Sequence, residues 1–166
     1  MRKIYVTGFP WDKTYLWLAA SDHGLSVVEF ERQRSFETFK SSFENAVVEE
    51  ANPILEGLVK RLDNYFRGNR ESFDIPIDFI GGTDFQKSVW KKVRAIPYGQ
   101  TRTYGQIAHE LGKSGAVRAV GAANGANPMP IVIPCHRVLQ ADGKLGGYSG
   151  GLDIKDSLLR LEGAVL

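Results

Sequence analysis

The sequence predicts an α+β fold in two parts, a small antiparallel β-sheet with a helix and then a mostly helical region with a helix-turn-helix. Short runs of strand-forming residues alternate with turns over the first 30 positions. Apolar residues later recur at helical spacing. Gly81-Gly82 separates 10 basic and 13 acidic residues over 1–83 from 11 basic and 6 acidic residues over 84–166. We therefore expect an N-terminal α/β domain over 1–80 and a C-terminal domain over 81–166.

The N-terminal region contains the predicted sheet. Its strands are Lys3–Phe9, Thr14–Ala19 and Leu25–Phe30, and its turns are Gly8-Phe9-Pro10 and Asp22-His23-Gly24. Leu55, Leu58 and Leu62 share one face of a helix predicted for Pro53–Phe66, and Gly68 ends it. Two stretches stay open: residues 33–44, where phenylalanines recur at helical spacing, and residues 75–80, a strand or an extended linker.

The C-terminal region is predicted to be mostly helical, with helices at Phe85–Ala95, Tyr104–Leu111, Ala116–Asn124 and Asp153–Leu161. Thr83, Thr103 and Ser114 are suited to cap the first three, because their hydroxyls accept hydrogen bonds from backbone N–H groups. The second and third helices are joined by Gly112-Lys113 and form a helix-turn-helix.

The second helix of that pair consists mainly of small residues. With only Arg118 and Asn124 to present to base edges, it is poorly equipped to recognise a DNA sequence. Glycine and alanine would let its backbone approach another surface, or would pack it tightly in the core. Seven basic residues and one acidic residue lie within Lys87–Arg118. This cluster of positive charge could bind a polyanion such as DNA, but it is also typical of a solvated helix face.

Cys135 is the only cysteine, and His136 follows it directly. The β-branched run Ile131–Ile133 predicts a buried strand that Pro134 ends, with the thiol at its end. A buried structural cysteine is the alternative. A single cysteine forms no intramolecular disulfide, and the sequence shows no signal peptide or membrane-spanning run, so we expect a cytoplasmic protein without a metal site.

A reactive Cys135 needs a base, because a free thiol has a pKa of about 8.5. Adjacent side chains on an extended segment point to opposite sides, so we expect a water between the thiol and His136. Glu162 is the candidate carboxylate that orients the imidazole, or else an exposed charge. Asn127 ties two segments together or starts a turn. The glycine-rich residues 146–151 form a pocket wall or a turn, and they lack the ending of a phosphate-binding loop.

Seven motifs occur in order between about residues 83 and 163. They are Phe85-Gln86-x-x-Val89-Trp90, Ile96-Pro97-Tyr98-Gly99-x-Thr101-x-Thr103-Tyr104, Arg118-Ala119-Val120-Gly121, Asn127-Pro128, Ile133-Pro134-Cys135-His136-Arg137-Val138, Gly147-Tyr148-Ser149-Gly150-Gly151 and Glu162-Gly163. With them the chain resembles the O6-alkylguanine-DNA alkyltransferases, or methylated-DNA–protein-cysteine methyltransferases. The resemblance implies a ribonuclease H-like N-terminal domain and a winged-helix-like C-terminal domain for DNA binding and catalysis.

The resemblance also implies roles for individual residues. Cys135 would take the alkyl group as a thioether, activated by His136 through a water, with Glu162 holding His136. Tyr104 would donate to the guanine leaving group, and Asn127 would be a hinge supporting the active-site turn. The other residues would bind DNA or the base: Arg118 would fill the gap in the duplex, Thr103, Ala116 and Gly121 would contact DNA, and Val138, Tyr148 and Ser149 would line the base pocket.

The implied function is DNA repair by direct, stoichiometric and irreversible transfer of an alkyl group to Cys135, without a cofactor. The implied partner is double-stranded DNA carrying O6-alkylguanine, bound by a monomer through the minor groove and backbone, and O4-alkylthymine stays open as a second substrate. Chemistry on a base requires flipping it out of the stack. Repair must act in any sequence context, and a small-residue helix without base-reading side chains suits that requirement. The alternatives are a helix-turn-helix regulator with a structural or redox-sensing cysteine, and a cysteine–histidine hydrolase.

Overall fold

The structure, a computed structural model, describes residues 2–44, 46–48 and 52–164. The chain divides into two compact units, Met1–Ile80 and Gly81–Leu166. The first contains a β-sheet with helices and the second is mainly helical, which confirms the predicted α+β fold.

The N-terminal unit is built on a four-stranded sheet of order β3-β2-β1-β4. Its strands are β1 (Ile4–Trp11), β2 (Thr14–Ala20), β3 (Leu25–Phe30) and β4 (Ala46–Val47). The first three are antiparallel neighbours as predicted, whereas β4 pairs in parallel with Ile4 and Tyr5 of β1. The helices of this unit are α1 (Phe36–Ser41), whose Phe39 is buried against Ile4 and Trp17, and α2 (Pro53–Phe66), which contacts β1 and β2.

The predicted turn at Gly8-Phe9-Pro10 is wrong, because all three residues lie within β1. The described pairing of β4 with β1 ends at Tyr5. Among the residues that the structure describes, one side of β1 is therefore a sheet edge beyond Tyr5, where a proline without an N–H group is tolerated. The chain turns after β1 instead, where Asp12 adopts a φ of 53°. Residues 75–80 form an extended segment whose one β-bridge joins Ile77 to Leu25.

The described part of the C-terminal unit contains α3 (Asp84–Arg94), α4 (Tyr104–Glu110), α5 (Val117–Gly125) and α6 (Leu152–Leu161). Helices α3, α4 and α5 contact one another, and α4 and α5 form the predicted helix-turn-helix. The indole Nε1 of Trp90 donates to the carbonyl oxygen of Ala123 at 2.7 Å, which ties α3 to α5. Two short parallel strands, β5 (Arg102–Thr103) and β6 (Val138–Leu139), bring the start of α4 next to the segment that follows the cysteine.

Two of the three predicted helix caps are present. The hydroxyls of Thr83 and Thr103 accept hydrogen bonds from the third residues of α3 and α4, at 3.1 Å each. The prediction for Ser114 is wrong, because a turn closed by the N–H of Ala116 and the carbonyl of Lys113 delays the start of α5 to Val117. None of the helices described is both long and apolar enough to span a membrane.

Candidate active site

The cysteine lies on a buried turn. Cys135, His136 and Arg137 form a single turn of 3-10 helix, and Ile131 before them adopts a φ of 76°. A β-branched residue in the left-handed region is rare and persists only where surrounding contacts hold it. The predicted strand over Ile131–Ile133 is therefore wrong, although all three residues are buried as expected.

Asn127 supplies contacts that hold this turn. Its Nδ2 donates to the carbonyl oxygen of Ile133 at 2.7 Å, and its Oδ1 accepts from the N–H of Met129 at 2.9 Å. The N–H of Ile133 also donates to the carbonyl of Met129 at 2.8 Å. Because Asn127 is buried, these bonds replace those that its amide would make with water. The amide thereby fixes the path of the chain into Cys135.

The Cys135 thiol is buried, with 4% of the residue exposed. Burial raises the pKa of the thiol to about 11, although the Asn127 side chain and the charge of Lys155 act in the opposite direction. At neutral pH the sulfur is therefore protonated. A nucleophilic role for it requires a base that takes this proton.

His136 and Glu162 form a buried pair. His136 Nε2 lies 2.8 Å from Glu162 Oε1, and both side chains are inaccessible to solvent. Burial opposes the ionisation of Glu162, but hydrogen bonds from His136 and Arg137 outweigh it and hold the pKa of the carboxyl group at about 2. An ionised carboxylate can only accept, so the hydrogen-bond network assigns the ring proton to Nε2.

The other ring nitrogen of His136, Nδ1, is therefore an acceptor with a lone pair. It is buried and has no hydrogen-bond partner among the residues described. Burial also lowers the pKa of the imidazole, so the ring is neutral at physiological pH. A neutral, oriented imidazole with an available nitrogen can accept a proton, which is the chemistry that a general base needs.

Arg137 is a member of this cluster that sequence reasoning missed. Its guanidinium donates to both carboxylate oxygens of Glu162, with distances between 2.8 and 3.2 Å, and to the carbonyl oxygen of Ile96 at 2.6 Å. Only 5% of the residue is exposed. Its position in a mainly apolar segment was the available signal, since arginine is rarely buried without a partner.

Lys155 was missed as well. It is fully buried, and its Nζ donates to the carbonyl oxygens of Val138 at 2.8 Å and Gly147 at 3.4 Å. Burial lowers the pKa of the amine to about 8. The available signal was its place on the apolar face of α6, where Leu158 and Leu159 follow at helical spacing. Through Lys155 the predicted pocket residue Val138 is fixed to the glycine-rich loop.

Tyr104 lies against that loop and against Asn124. A Cβ atom on Gly146 would stand 2.9 Å from the Tyr104 hydroxyl oxygen, so the loop backbone approaches the phenol closely. Burial raises the pKa of Tyr104, and the Asn124 side chain acts to lower it. Asn124 Nδ2 also donates to the carbonyl oxygen of Cys135 at 3.3 Å. Asn124 therefore faces the cysteine and is buried, which removes it from the surface of α5.

Tyr148 and Ser149 lie on the segment that leads from Gly147 to α6. Tyr148 is half-buried and Ser149 is exposed. The N–H of Gly151 donates to the carbonyl oxygen of Tyr148 at 3.0 Å and closes this segment into a turn before the helix. The segment therefore contains a turn, one of the two possibilities left open by the sequence, and its role as a pocket wall stays a prediction.

The four predicted DNA-binding residues lie on the helix-turn-helix. Arg118 is exposed in the first turn of α5, and Ala116 is the residue before that helix. Thr103 caps α4, and a Cβ atom on Gly121 would lie 3.9 Å from the ring of Tyr104. Such a Cβ would make only ordinary van der Waals contact, so the space at this position does not require glycine. Arg118 is the exposed cation at the start of α5.

Comparison with known proteins gives matches along nearly all of the chain. Residues 4–79 match the ribonuclease-like domain of 6-O-methylguanine DNA methyltransferase, and residues 84–164 match its DNA binding domain. A methylated-DNA–protein-cysteine methyltransferase of Methanosarcina acetivorans is 47% identical over 148 residues, which span 89% of this chain and 90% of that protein.

Solved structures agree with these matches. The crystal structure of Mycobacterium tuberculosis O6-methylguanine methyltransferase superposes with a TM-score of 0.78 at 41% identity, over 99% of this chain and 94% of that one. A crystal structure of Mycobacterium tuberculosis OGT in complex with DNA gives a TM-score of 0.79 at 41% identity, over 98% of this chain and 93% of that one.

Proposed function

The chain belongs to the 6-O-methylguanine DNA methyltransferase family, and we propose that it repairs DNA by moving an alkyl group from O6 of guanine to Cys135 Sγ. The observation that carries the proposal is the buried pair of His136 and Glu162 next to the only cysteine, with Nδ1 of the imidazole left as an acceptor. A thiol that burial keeps protonated becomes a nucleophile when such a base takes its proton.

His136 is that base. The charge of Glu162 keeps the ring proton on Nε2, so Nδ1 takes the thiol proton through a bridging water. The imidazolium that results is stabilised by the same carboxylate, which needs no movement because it already lies 2.8 Å from the ring.

The thiolate then attacks the alkyl carbon of the lesion. The S–C bond forms as the C–O6 bond breaks, and the electron pair of the broken bond returns to guanine. Guanine takes up one proton, so the net reaction moves the proton of the Cys135 thiol to guanine and leaves His136 neutral again. Tyr104 donates a hydrogen bond to the guanine and stabilises the charge that develops on it.

The pocket for the base is lined by the carbonyl oxygens of Cys135 and Val138, the N–H of Ser149 and the side chain of Tyr148. Lys155 holds the Val138 carbonyl at 2.8 Å, and the Asn124 amide holds the Cys135 carbonyl at 3.3 Å. Acceptors fixed before the base arrives lose less conformational freedom on binding.

DNA is bound through the helix-turn-helix. Chemistry at O6 requires a base that is flipped out of the stack, and Arg118, exposed at the start of α5, enters the space that the base leaves. Thr103, Ala116 and Gly121 allow close contact with the minor groove and the phosphates. A helix with few base-reading side chains suits repair in any sequence context.

One protein molecule repairs one lesion. Cys135 is the only cysteine, so the chain carries no second thiol to attack the alkylated sulfur, and a thioether is a poor leaving group. The reaction is therefore irreversible, and the protein is consumed as a reagent.

A titration of a duplex carrying O6-methylguanine, labelled in the methyl group, against the protein tests this proposal. With lesion in excess, transfer should reach a plateau at one label per chain, and Cys135→Ser should accept no label while still binding unmodified duplex. Continued turnover with release of label would indicate a hydrolase, and binding without transfer would indicate a regulator. A duplex carrying O4-methylthymine, run in parallel, tests the second substrate.

A further inference from the structure

We propose that Arg137 is a positioning residue that keeps His136 neutral by sharing the negative charge of Glu162. In its consequence for catalysis the proposal rests on the proposed function, in which His136 is the base. Its electrostatic part concerns the protein alone and is measurable without DNA.

Arg137 and His136 bind the same carboxylate. Arg137 Nε lies 2.9 Å from Oε2 and 3.2 Å from Oε1 of Glu162, and Arg137 Nη2 lies 2.8 Å from Oε1. His136 Nε2 reaches that same Oε1 at 2.8 Å. The N–H of Gly99 donates to Oε2 at 3.4 Å. One negative charge therefore serves both a permanent cation and the imidazole.

Arg137 is also held by groups other than the carboxylate. Its Nη1 donates to the carbonyl oxygen of Ile96 at 2.6 Å, and its guanidinium lies 5.8 Å from the centre of the Tyr98 ring. The Ile96–Gly99 turn therefore keeps the cation beside Glu162 whether or not His136 is protonated. A guanidinium does not lose its proton in proteins, so its charge is constant.

Among the described residues, the titratable and charged groups around His136 are Lys155 on α6, Glu162 directly after α6, Arg137 and the Cys135 thiol. Burial lowers the pKa of the imidazole most, Glu162 raises it, and Arg137 and Lys155 lower it. Without Arg137, the buried carboxylate would have the imidazole as its main partner, and a buried anion favours a cation beside it. The ring would gain a proton and could no longer accept one from the thiol.

An NMR titration of the His136 ring tests the electrostatic claim directly. The chain has two other histidines, His23 and His109, and a His136→Gln spectrum identifies the signals. We expect Arg137→Met to raise the midpoint of His136 by about one pH unit or more. Arg137→Lys, which keeps a cation at this place, should stay closer to the wild-type midpoint.

A second pair of variants, in which Glu162 is also replaced, controls for damage to the fold. Glu162→Gln should have the lowest midpoint, because Arg137 then faces the ring without an anion, and adding Arg137→Met to it should raise the midpoint again. This pair measures the direct effect of the Arg137 charge on the ring, and no rise within it counts against the proposal even if Arg137→Met alone does not fold. A larger rise on loss of Arg137 when Glu162 is present measures the part that depends on sharing the carboxylate. An unchanged midpoint on loss of Arg137 in both backgrounds would overturn the proposal.

Transfer rates connect the claim to repair. Arg137→Met should transfer slowly near neutral pH and recover as the pH rises and the imidazolium loses its proton, whereas the wild type should already be at its plateau. If the wild-type protein transfers no alkyl group at any pH, the proposed function is wrong. The His136 midpoints then still test the electrostatic role of Arg137. A loss of rate that is equal at every pH, with an unshifted midpoint, would mean that Arg137 acts only through structure.

Discussion

Lys155 Nζ lies 2.8 Å from the carbonyl oxygen of Val138, which places a buried amine at the wall proposed to hold the base. Burial lowers the pKa of this amine from 10.5 to about 8. Because the folded value lies below the unfolded one, the unfolded chain binds more protons within this window, and stability should rise with pH across it.

The test compares Cys135→Ser with Cys135→Ser/Lys155→Met, because without the thiol only the amine differs in titration. From pH 8 to pH 10.5 the free energy of unfolding of Cys135→Ser should increase by up to about 3 kcal/mol more than that of the double variant. Urea denaturation of both proteins at each pH measures the difference. If the free energies of unfolding of the two proteins change with pH in parallel, burial does not lower the pKa of the Lys155 amine.

His136→Gln removes the proposed base and leaves a thiol whose pKa burial raises to about 11. We expect alkyl transfer near neutral pH to fall by about 100-fold or more, the usual contribution of a general base. Reaction of Cys135 with iodoacetamide should rise about tenfold per pH unit in this variant, because only the thiolate reacts. His109→Gln, an exposed histidine on α4, is the matched control. A His136→Gln protein as fast as this control would remove His136 from the mechanism.

Gly146→Ala should impair transfer, because its Cβ would lie 2.9 Å from the Tyr104 hydroxyl oxygen and its φ is 67°. Displacement of the phenol or the loop by about 1 Å is expected to slow single-turnover transfer by about 10- to 100-fold. Gly147→Ala is the control, since a Cβ there meets nothing within 4 Å. Equal rates in the two alanine variants would mean that the contact with Tyr104 has no part in the reaction.

Arg118→Ala should weaken transfer more on duplex DNA than on single strands. Flipping a base costs a few kcal/mol in a duplex and less in a single strand. The Arg118 side chain, which is proposed to fill the space of the flipped base, should therefore matter mainly in the duplex. Single-turnover rates on the same lesion in both forms measure the ratio. Losses of the same size on both substrates would make Arg118 a phosphate contact.

Local sequence patterns were sufficient for most helices. Helix α2 begins at Pro53 and ends at Phe66 as predicted, because its apolar spacing, its proline at the start and the glycine after its end all act within a few residues. The caps at Thr83 and Thr103 were found for the same reason.

Contacts between residues distant in the sequence account for what was missed. Ile131 has the side chain of a strand residue, yet the bonds made by Asn127 hold the segment in a turn. Arg137 and Lys155 look misplaced in apolar segments until their partners, Glu162 and the Val138 carbonyl, are known. Local propensity does not contain these pairings, so the places of Arg137 and Lys155 beside the predicted pair of His136 and Glu162 required the structure.

The identity of the alkyl acceptor tests the account most directly. The protein is incubated with a duplex carrying O6-methylguanine with a deuterated methyl group, digested and analysed by tandem mass spectrometry, with Cys135→Ser in parallel. We expect the deuterated methyl group on Cys135, unmodified guanine in the DNA, and no label in the serine variant. A label on any other residue, or repaired DNA with an unlabelled Cys135, would contradict the account.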